Sequence, residues 1–91
     1  MMLVIFRTRN EDWERFRKTL MEHEEEIKTF GCTRIEARRN RKHPDEWVML
    51  QEWPDKATFD KFAAKRGPEL DREAGVRWTD VSTWLETAHP V

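Results

Sequence analysis

Two stretches of the chain, residues 2–8 and 46–53, carry apolar side chains at consecutive positions. Because successive side chains of a β-strand point to opposite faces of the sheet, both stretches are typical of strands that are covered on both faces. Residues 32–39 alternate between apolar and charged side chains, which predicts a half-exposed strand. A fourth strand is predicted for residues 80–88. Any fold of this chain must therefore cover both faces of its central strands.

Two helices are predicted between these strands. Asn10 is a favourable N-cap residue, and apolar side chains recur at helical spacing over residues 13–30. Gly31 follows at the position where helices commonly end on a glycine. Asp55 is predicted to cap the second helix, whose buried stripe includes Phe62.

The second helix is expected to stop at Gly67-Pro68, since the residue before a proline is disfavoured in the helical conformation. A short further helix over residues 68–74 is expected to end at Gly75. The element order βαββαβ predicts an α+β fold, the ferredoxin-like sandwich, with a four-stranded antiparallel sheet and helices on one face. A second copy, packed sheet to sheet in a homodimer (the dimeric α/β barrel), is expected to cover the other face.

Charge and composition exclude several function classes. Lys plus Arg is 17 and Asp plus Glu is 18, so the chain has no net field that would attract nucleic acid or an anionic membrane. Its longest apolar run, residues 1–6, is much shorter than the roughly 20 residues of a membrane span. Cys32 is the only cysteine, which is typical of a reducing compartment, and we expect a cytoplasmic protein. We expect a single domain over residues 1–91, with no metal site, because its histidines lack ligand spacing.

Three short motifs resemble one protein family. Phe30-Gly31-Cys32 leads into a hairpin, the next strand ends in Glu52-Trp53, and the following helix contains Ala57 and Phe59. With these motifs, nearly the whole chain is similar to the antibiotic biosynthesis monooxygenase family. The shared pattern is a Gly-Cys after the first helix, an aliphatic strand that ends in Glu-Trp, and a polar turn before a helix with an alanine and a phenylalanine. The resemblance implies a dimeric α/β barrel and a cofactor-independent monooxygenase. Its expected substrate is a small aromatic or quinone-like compound, whose anion itself reduces oxygen.

The resemblance also separates the chain from haem-degrading relatives. Those proteins resemble one another in an Asn on the first strand, a Trp on the second helix and a proximal His farther along. The present chain has no Asn before Asn10, carries Phe62 on the second helix, and has no imidazole over residues 70–75. We therefore expect no cofactor.

His23 is the most informative candidate catalytic residue. It lies three residues after Leu20 and four before Ile27, which places it on the inward stripe of the first helix. An imidazole there could act as a general base that takes a proton from a phenol or hydroquinone. The structural alternative is a histidine at the edge of the stripe, bonded to a carbonyl or to the acidic run of residues 24–26.

Further polar and aromatic residues complete the predicted site. Arg7 could stabilise the substrate anion, or it could simply pair with Glu52 across neighbouring strands. Flat aromatic walls suit quinone-like ligands, although the same residues also suit a core or a dimer contact. The side chains expected to line the pocket are Trp47, Phe62, Trp78 and Trp84.

Two other functions remain open from the sequence. A non-catalytic ligand-binding or structural dimer module would use the same fold without turnover. A haem-binding protein would need His23 or another ligand outside the arrangement of the haem-degrading relatives. Because a one-residue slip exchanges Trp47 with Val48 on the inward face, the pocket residues depend on the strand register.

Overall fold

A computed structural model describes residues 1–10 and 12–85, apart from the side chain of Trp78. Two helices cover one face of an antiparallel sheet whose strand order is β2-β3-β1-β4, which confirms the predicted ferredoxin-like βαββαβ fold. The last strand begins at Trp78 rather than at residue 80 and ends at Trp84, and its predicted continuation over residues 86–88 lies outside the described residues. The elements are β1 (Met2–Arg9), α1 (Trp13–Thr29), β2 (Arg34–Arg39), β3 (Glu46–Trp53), α2 (Lys56–Ala74) and β4 (Trp78–Trp84).

The strand register decides which side chains face the helices. Met2 pairs with Trp53, and Thr8 pairs with Trp47, so even-numbered residues of β1 and odd-numbered residues of β3 share one face. Both tryptophans on this face are buried, as is Val4. The register therefore places Trp47 on the helix-facing side of the sheet and Val48 on the other face.

The first helix begins two residues later than predicted. Asp12, rather than Asn10, is the N-cap, and its Oδ1 accepts a hydrogen bond from the backbone N–H of Arg15. Asn10 is buried instead, where its Oδ1 accepts from the N–H of Asp12 and its Nδ2 donates to the carbonyl of Ala74. The residue expected to start α1 thus ties the beginning of α1 to the end of α2.

The second helix is continuous, and the predicted break at Gly67-Pro68 does not occur. The residue before a proline is disfavoured in a helix because its N–H and Cβ meet the proline ring. Gly67 has no Cβ, which removes part of that clash, and α2 runs through Pro68. The helix ends as predicted, with Gly75 in the left-handed conformation at φ 75°.

The sheet face turned away from the helices has an apolar centre and a charged border. Leu3, Ile5, Val48 and Leu50 lie on this face and are half-buried. At the border, Arg7 Nε donates to Glu46 Oε1 at 3.0 Å, whereas pairing with Glu52 was predicted. The strand register explains why Arg7 pairs with Glu46 and not with Glu52. Arg7 lies opposite Val48, which is next to Glu46 on the same face of β3. Glu52 lies farther along β3, opposite Leu3, and accepts a hydrogen bond from Arg34. Within the described ranges, neither helix is apolar enough to cross a bilayer.

Candidate functional site

A cavity of about 460 Å³ lies between the two helices and the helix-facing side of the sheet. Its size is within the usual range of small-molecule sites, about 300–1,000 Å³. Most of the wall is apolar, and aromatic rings from β1, α1 and α2 contribute to it. Representative apolar wall residues are Phe6, Phe16, Leu20, Phe59, Phe62 and Leu70.

Several polar side chains reach this wall, and two of them are already satisfied. Thr19 Oγ1 donates to the carbonyl of Arg15 at 2.9 Å, within its own helix. Gln51 Oε1 accepts a 2.8 Å hydrogen bond from Trp53 Nε1 in the buried core. The remaining polar wall residues are His23, Asp71, Thr8 and Thr79.

His23 lies on the cavity wall, on the stripe that its helical spacing predicted. Its Nδ1 is 3.2 Å from Glu26 Oε1 on α1, and its Nε2 is 3.0 Å from Glu73 Oε2 on α2. The hydrogen bond to Glu73, followed by its charge and that of Glu26, raises the pKa of His23 above 6.5 despite partial burial. Both ring nitrogens are therefore held by carboxylates, which matches the structural alternative for this residue.

The His23 interactions extend into a charged network along the edge of the cavity. Arg66 on α2 donates to Glu26 through Nε at 2.8 Å, and this bond is the main reason that the pKa of Glu26 is lowered. Ligand atoms of Glu22, His23 and Glu73 also lie within 4.8 Å of one another, as a cation site would require. A cation there would have to displace the proton that the two carboxylates favour on the imidazole.

Asp71 is a wall residue that the sequence analysis did not single out. Partial burial of its carboxyl raises its pKa above the ordinary value, although the residue as a whole is exposed. It differs from the carboxylates of the charged network because it forms no ion pair with any other described residue. No local motif marks it, since only the packing of α2 over the sheet brings it to the cavity.

Thr8 and Thr79 form the remaining polar part of the wall. They pair directly across β1 and β4, and the Oγ1 of each is buried without a hydrogen-bond partner among the described residues. Strand alternation could have placed Thr8 on the inward face with Val4 and Phe6. Its pairing with Thr79 depends on a strand register that the sequence does not define.

The structure brings only part of the predicted site together. Phe62 is buried on the cavity wall near the stripe that carries His23. Trp47 is buried away from the wall, with its ring centroid 4.9 Å from that of Trp13. Arg7 lies on the opposite face of the sheet, as does Trp84, which is 59% exposed. These three residues therefore do not line the cavity.

The fourth predicted aromatic, Trp78, belongs to β4 and pairs with Arg9 through the backbone. Its side chain lies outside the described part of the chain.

Comparison with known proteins gives one family match. The sequence profile of the family described as antibiotic biosynthesis monooxygenase matches residues 1–67. No sequence match is found among curated proteins.

Solved structures with the same fold cover nearly the whole chain. A conserved protein from Methanosarcina mazei has a TM-score of 0.74 at 18% identity, over 94% of this chain and 92% of that one. Rv0793 from Mycobacterium tuberculosis has a TM-score of 0.72 at 15% identity, over 97% and 98%. SnoaB from Streptomyces nogalater, described as a cofactor-independent oxygenase, has a TM-score of 0.71 at 17% identity, over 99% and 93%. At these identities the likeness establishes the fold.

Proposed function

Because this chain belongs to the antibiotic biosynthesis monooxygenase family, we propose that it is a cofactor-independent monooxygenase acting on a flat aromatic or quinone-like compound. The observation that carries this proposal is the cavity of about 460 Å³ between helices and sheet. Its wall is largely apolar and aromatic, with a few polar groups, as expected of a site for fused rings bearing oxygen atoms. The likeness to SnoaB, itself described as a cofactor-independent oxygenase, supports the same reaction class.

The proposed chemistry needs a proton acceptor and a dry, shaped cavity. Removing a proton from a phenol, hydroquinone or anthrone leaves an electron-rich anion that can transfer electrons to molecular oxygen. For an anthrone-type carbon the balanced outcome is CH₂ + O₂ → C=O + H₂O, so one oxygen atom enters the product and the other leaves as water. Phe59 and Phe62 would hold the rings and keep bulk water away from the anion.

Asp71 is the proton acceptor that we propose within this site. A general base works best when its pKa lies near the working pH, and burial raises the pKa of Asp71 toward that range. His23 would have to release Glu73 before its Nε2 could accept a proton. We therefore assign His23 a supporting role, in which the imidazolium joins the helices and holds positive charge at the edge of the cavity.

We propose that the protein forms a homodimer in which the two sheets pack against each other, and that it is located in the cytoplasm. The face opposite the helices presents Leu3, Ile5, Val48 and Leu50, surrounded by side chains of both charge signs such as Arg7 and Glu46. A second copy of this face would bury the apolar centre and set opposite charges against each other at the border. The dimeric α/β barrel arrangement of the family supports this assembly.

A non-catalytic ligand-binding module is the second candidate, and the geometry of His23 favours it. Both nitrogens of the only imidazole on the described cavity wall are bonded to carboxylates, so it offers no free base. The same geometry disfavours a haem-binding protein, because an axial histidine ligand needs a free nitrogen.

Oxygen uptake separates these candidates. Purified protein in aerated buffer, with chelator and without added cofactor, is given anthrone while an oxygen electrode and tryptophan fluorescence are followed together. The proposal expects oxygen uptake above the rate of anthrone alone. Fluorescence quenching without added uptake would establish the binding module instead, and a Soret shift on adding haemin would favour the haem binder.

A further inference from the structure

Thr8 and Thr79 lie directly opposite each other on two neighbouring strands, and neither hydroxyl has a hydrogen-bond partner among the described residues. Thr8 is 3% exposed, and its Oγ1 has no hydrogen-bond partner among the described residues. Thr79 lies opposite it across β1 and β4, and its Oγ1 is likewise buried and unpartnered within the described ranges. Both residues line the cavity.

Unpartnered hydroxyls are uncommon in protein interiors because burial removes the hydrogen bonds that they make with water. Thr19 shows the usual solution on the same wall, where its Oγ1 donates to the carbonyl of Arg15. Valine has nearly the same shape as threonine and would fill the positions of Thr8 and Thr79 without unpaired polar atoms. The two hydroxyls therefore indicate a partner that comes from outside the chain.

The spacing of the pair suits one acceptor atom. Directly opposed residues of an antiparallel pair have Cβ atoms about 4.5–5.5 Å apart. Because each Oγ1 is almost fully buried, the two side chains would have to turn toward the cavity, and a single ligand oxygen could then lie at hydrogen-bond distance, about 2.7–2.8 Å, from both hydroxyls. The next row on the same face pairs Phe6 with Val81, and both line the cavity, so an apolar surface for a ring adjoins the polar pair.

We propose that Thr8 and Thr79 form a two-hydroxyl site that binds a carbonyl or phenolate oxygen on a flat aromatic ligand. Phe6 and Val81 would contact the ring that bears this oxygen. The class of ligand rests on the proposed function. The two hydroxyls would add the group that fixes the orientation of this ligand in the cavity. The two threonines are positioning residues, since the proton transfer is assigned to Asp71.

Binding of a matched pair of tricyclic probes tests the site. 9-Fluorenone and fluorene share one skeleton and differ at the carbonyl group, and their affinities can be measured by titration calorimetry under nitrogen. We expect the wild-type protein to bind fluorenone roughly tenfold more tightly, the order of magnitude of one or two hydrogen bonds. Thr8→Val and Thr79→Val should each remove most of this preference and leave fluorene affinity unchanged. Thr29→Val is the matched control, because Thr29 Oγ1 donates within α1 to the carbonyl of Glu25 away from the cavity, and this variant should retain the preference.

Stability of the unliganded variants separates a binding role from a structural one. Since neither hydroxyl has a partner in the described chain, Thr8→Val and Thr79→Val should melt no lower than the wild type. Lowered melting of both would mean that the hydroxyls hold the fold, and this would overturn the proposal. Equal affinity for the two probes, as expected if only an ordered water occupies the pair, or binding of neither probe, would also overturn it.

This test is independent of catalysis because it requires no oxygen and no turnover. A preference for fluorenone that Thr8→Val abolishes would stand even if anthrone caused no oxygen uptake, in which case only the monooxygenase proposal would fail. Oxygen uptake that is unaffected by Thr8→Val, together with equal probe affinities, would retain the enzyme and reject the two-hydroxyl site.

Discussion

His23 Nε2 lies 3.0 Å from Glu73 Oε2, so one imidazole joins α1 to α2 at the edge of the cavity. The second ring nitrogen contacts Glu26, which in turn accepts from Arg66 on α2. The two helices that cover the cavity are thus connected through alternating charges. We expect this network to oppose separation of the two helices at the edge of the cavity.

The network predicts that stability depends on pH through His23. Its folded-state pKa is raised above the ordinary value of 6.5, so its stabilising contribution is complete below pH 6.5 and is lost as the pH rises through the raised pKa. The difference in unfolding free energy between wild type and His23→Gln should therefore be larger at about pH 6 than at about pH 9. Urea unfolding monitored by tryptophan fluorescence measures it.

His43→Gln is the matched control, because His43 lies on the exposed loop between β2 and β3. This variant should keep the pH dependence of the wild type. A His23→Gln protein whose stability follows the wild-type curve in parallel across this range would contradict the proposed role of the network.

Substitutions at Asp71 and His23 can identify the residue that accepts the proton. Asp71→Asn keeps the shape of the side chain and removes its basicity, so it should lower kcat for anthrone oxidation by about 10²- to 10⁴-fold, the usual contribution of a general base. His23→Gln should have a smaller effect on kcat, because its nitrogens are already engaged by Glu26 and Glu73. The opposite ranking of the two variants would return the role of base to His23.

Because α2 continues through Pro68, replacing this proline should stabilise the protein. Pro68 lies inside the helix and cannot donate to the carbonyl of Ala64, and a proline in a helix interior costs roughly 3 kcal/mol relative to alanine. Pro68→Ala should therefore raise the free energy of unfolding by about 1–3 kcal/mol. Lys61→Ala, at an exposed position of the same helix, should change it by less than about 0.5 kcal/mol. Pro68 also lines the cavity, so a destabilised Pro68→Ala protein would indicate that the proline ring is needed there for packing.

Much of this fold could be predicted from the residues themselves. The strand Glu46–Trp53, with apolar residues at positions 47–50, and the helical stripe that includes His23 could both be predicted from the residue pattern. The break predicted at Gly67-Pro68 was wrong, because part of the clash that disfavours a helix before a proline comes from the Cβ of the preceding residue, and Gly67 has none.

The site was harder to predict because its parts meet only through tertiary structure. His23 and Glu73 are 50 positions apart, and Thr8 meets Thr79 through the pairing of the first and last strands. Arg7 was placed with the catalytic residues, but it occupies the opposite face of β1 from Thr8, where it bonds Glu46. Composition and periodicity define which face a residue occupies, but they do not define its partner on the next element.

The apolar centre of the outer sheet face predicts a dimer, and a single charged substitution in this centre should prevent its formation. Leu50 is half-buried in the single chain and would be fully buried against a second copy. Leu50→Lys should give a folded monomer in sedimentation velocity at micromolar concentration, while the wild type sediments as a dimer. Ala64→Lys, on the exposed side of α2, should remain dimeric. A monomeric wild-type protein would contradict the sheet-to-sheet assembly.

We propose that one atom of molecular oxygen enters the substrate in this cavity without a cofactor. Incubating the protein with anthrone under ¹⁸O₂, in the presence of chelator, tests it directly by mass spectrometry of the product. We expect anthraquinone that carries one ¹⁸O atom, formed faster than with heat-denatured protein and much more slowly with Asp71→Asn. Product formation at the rate of the denatured control, or product that carries no ¹⁸O, would contradict it.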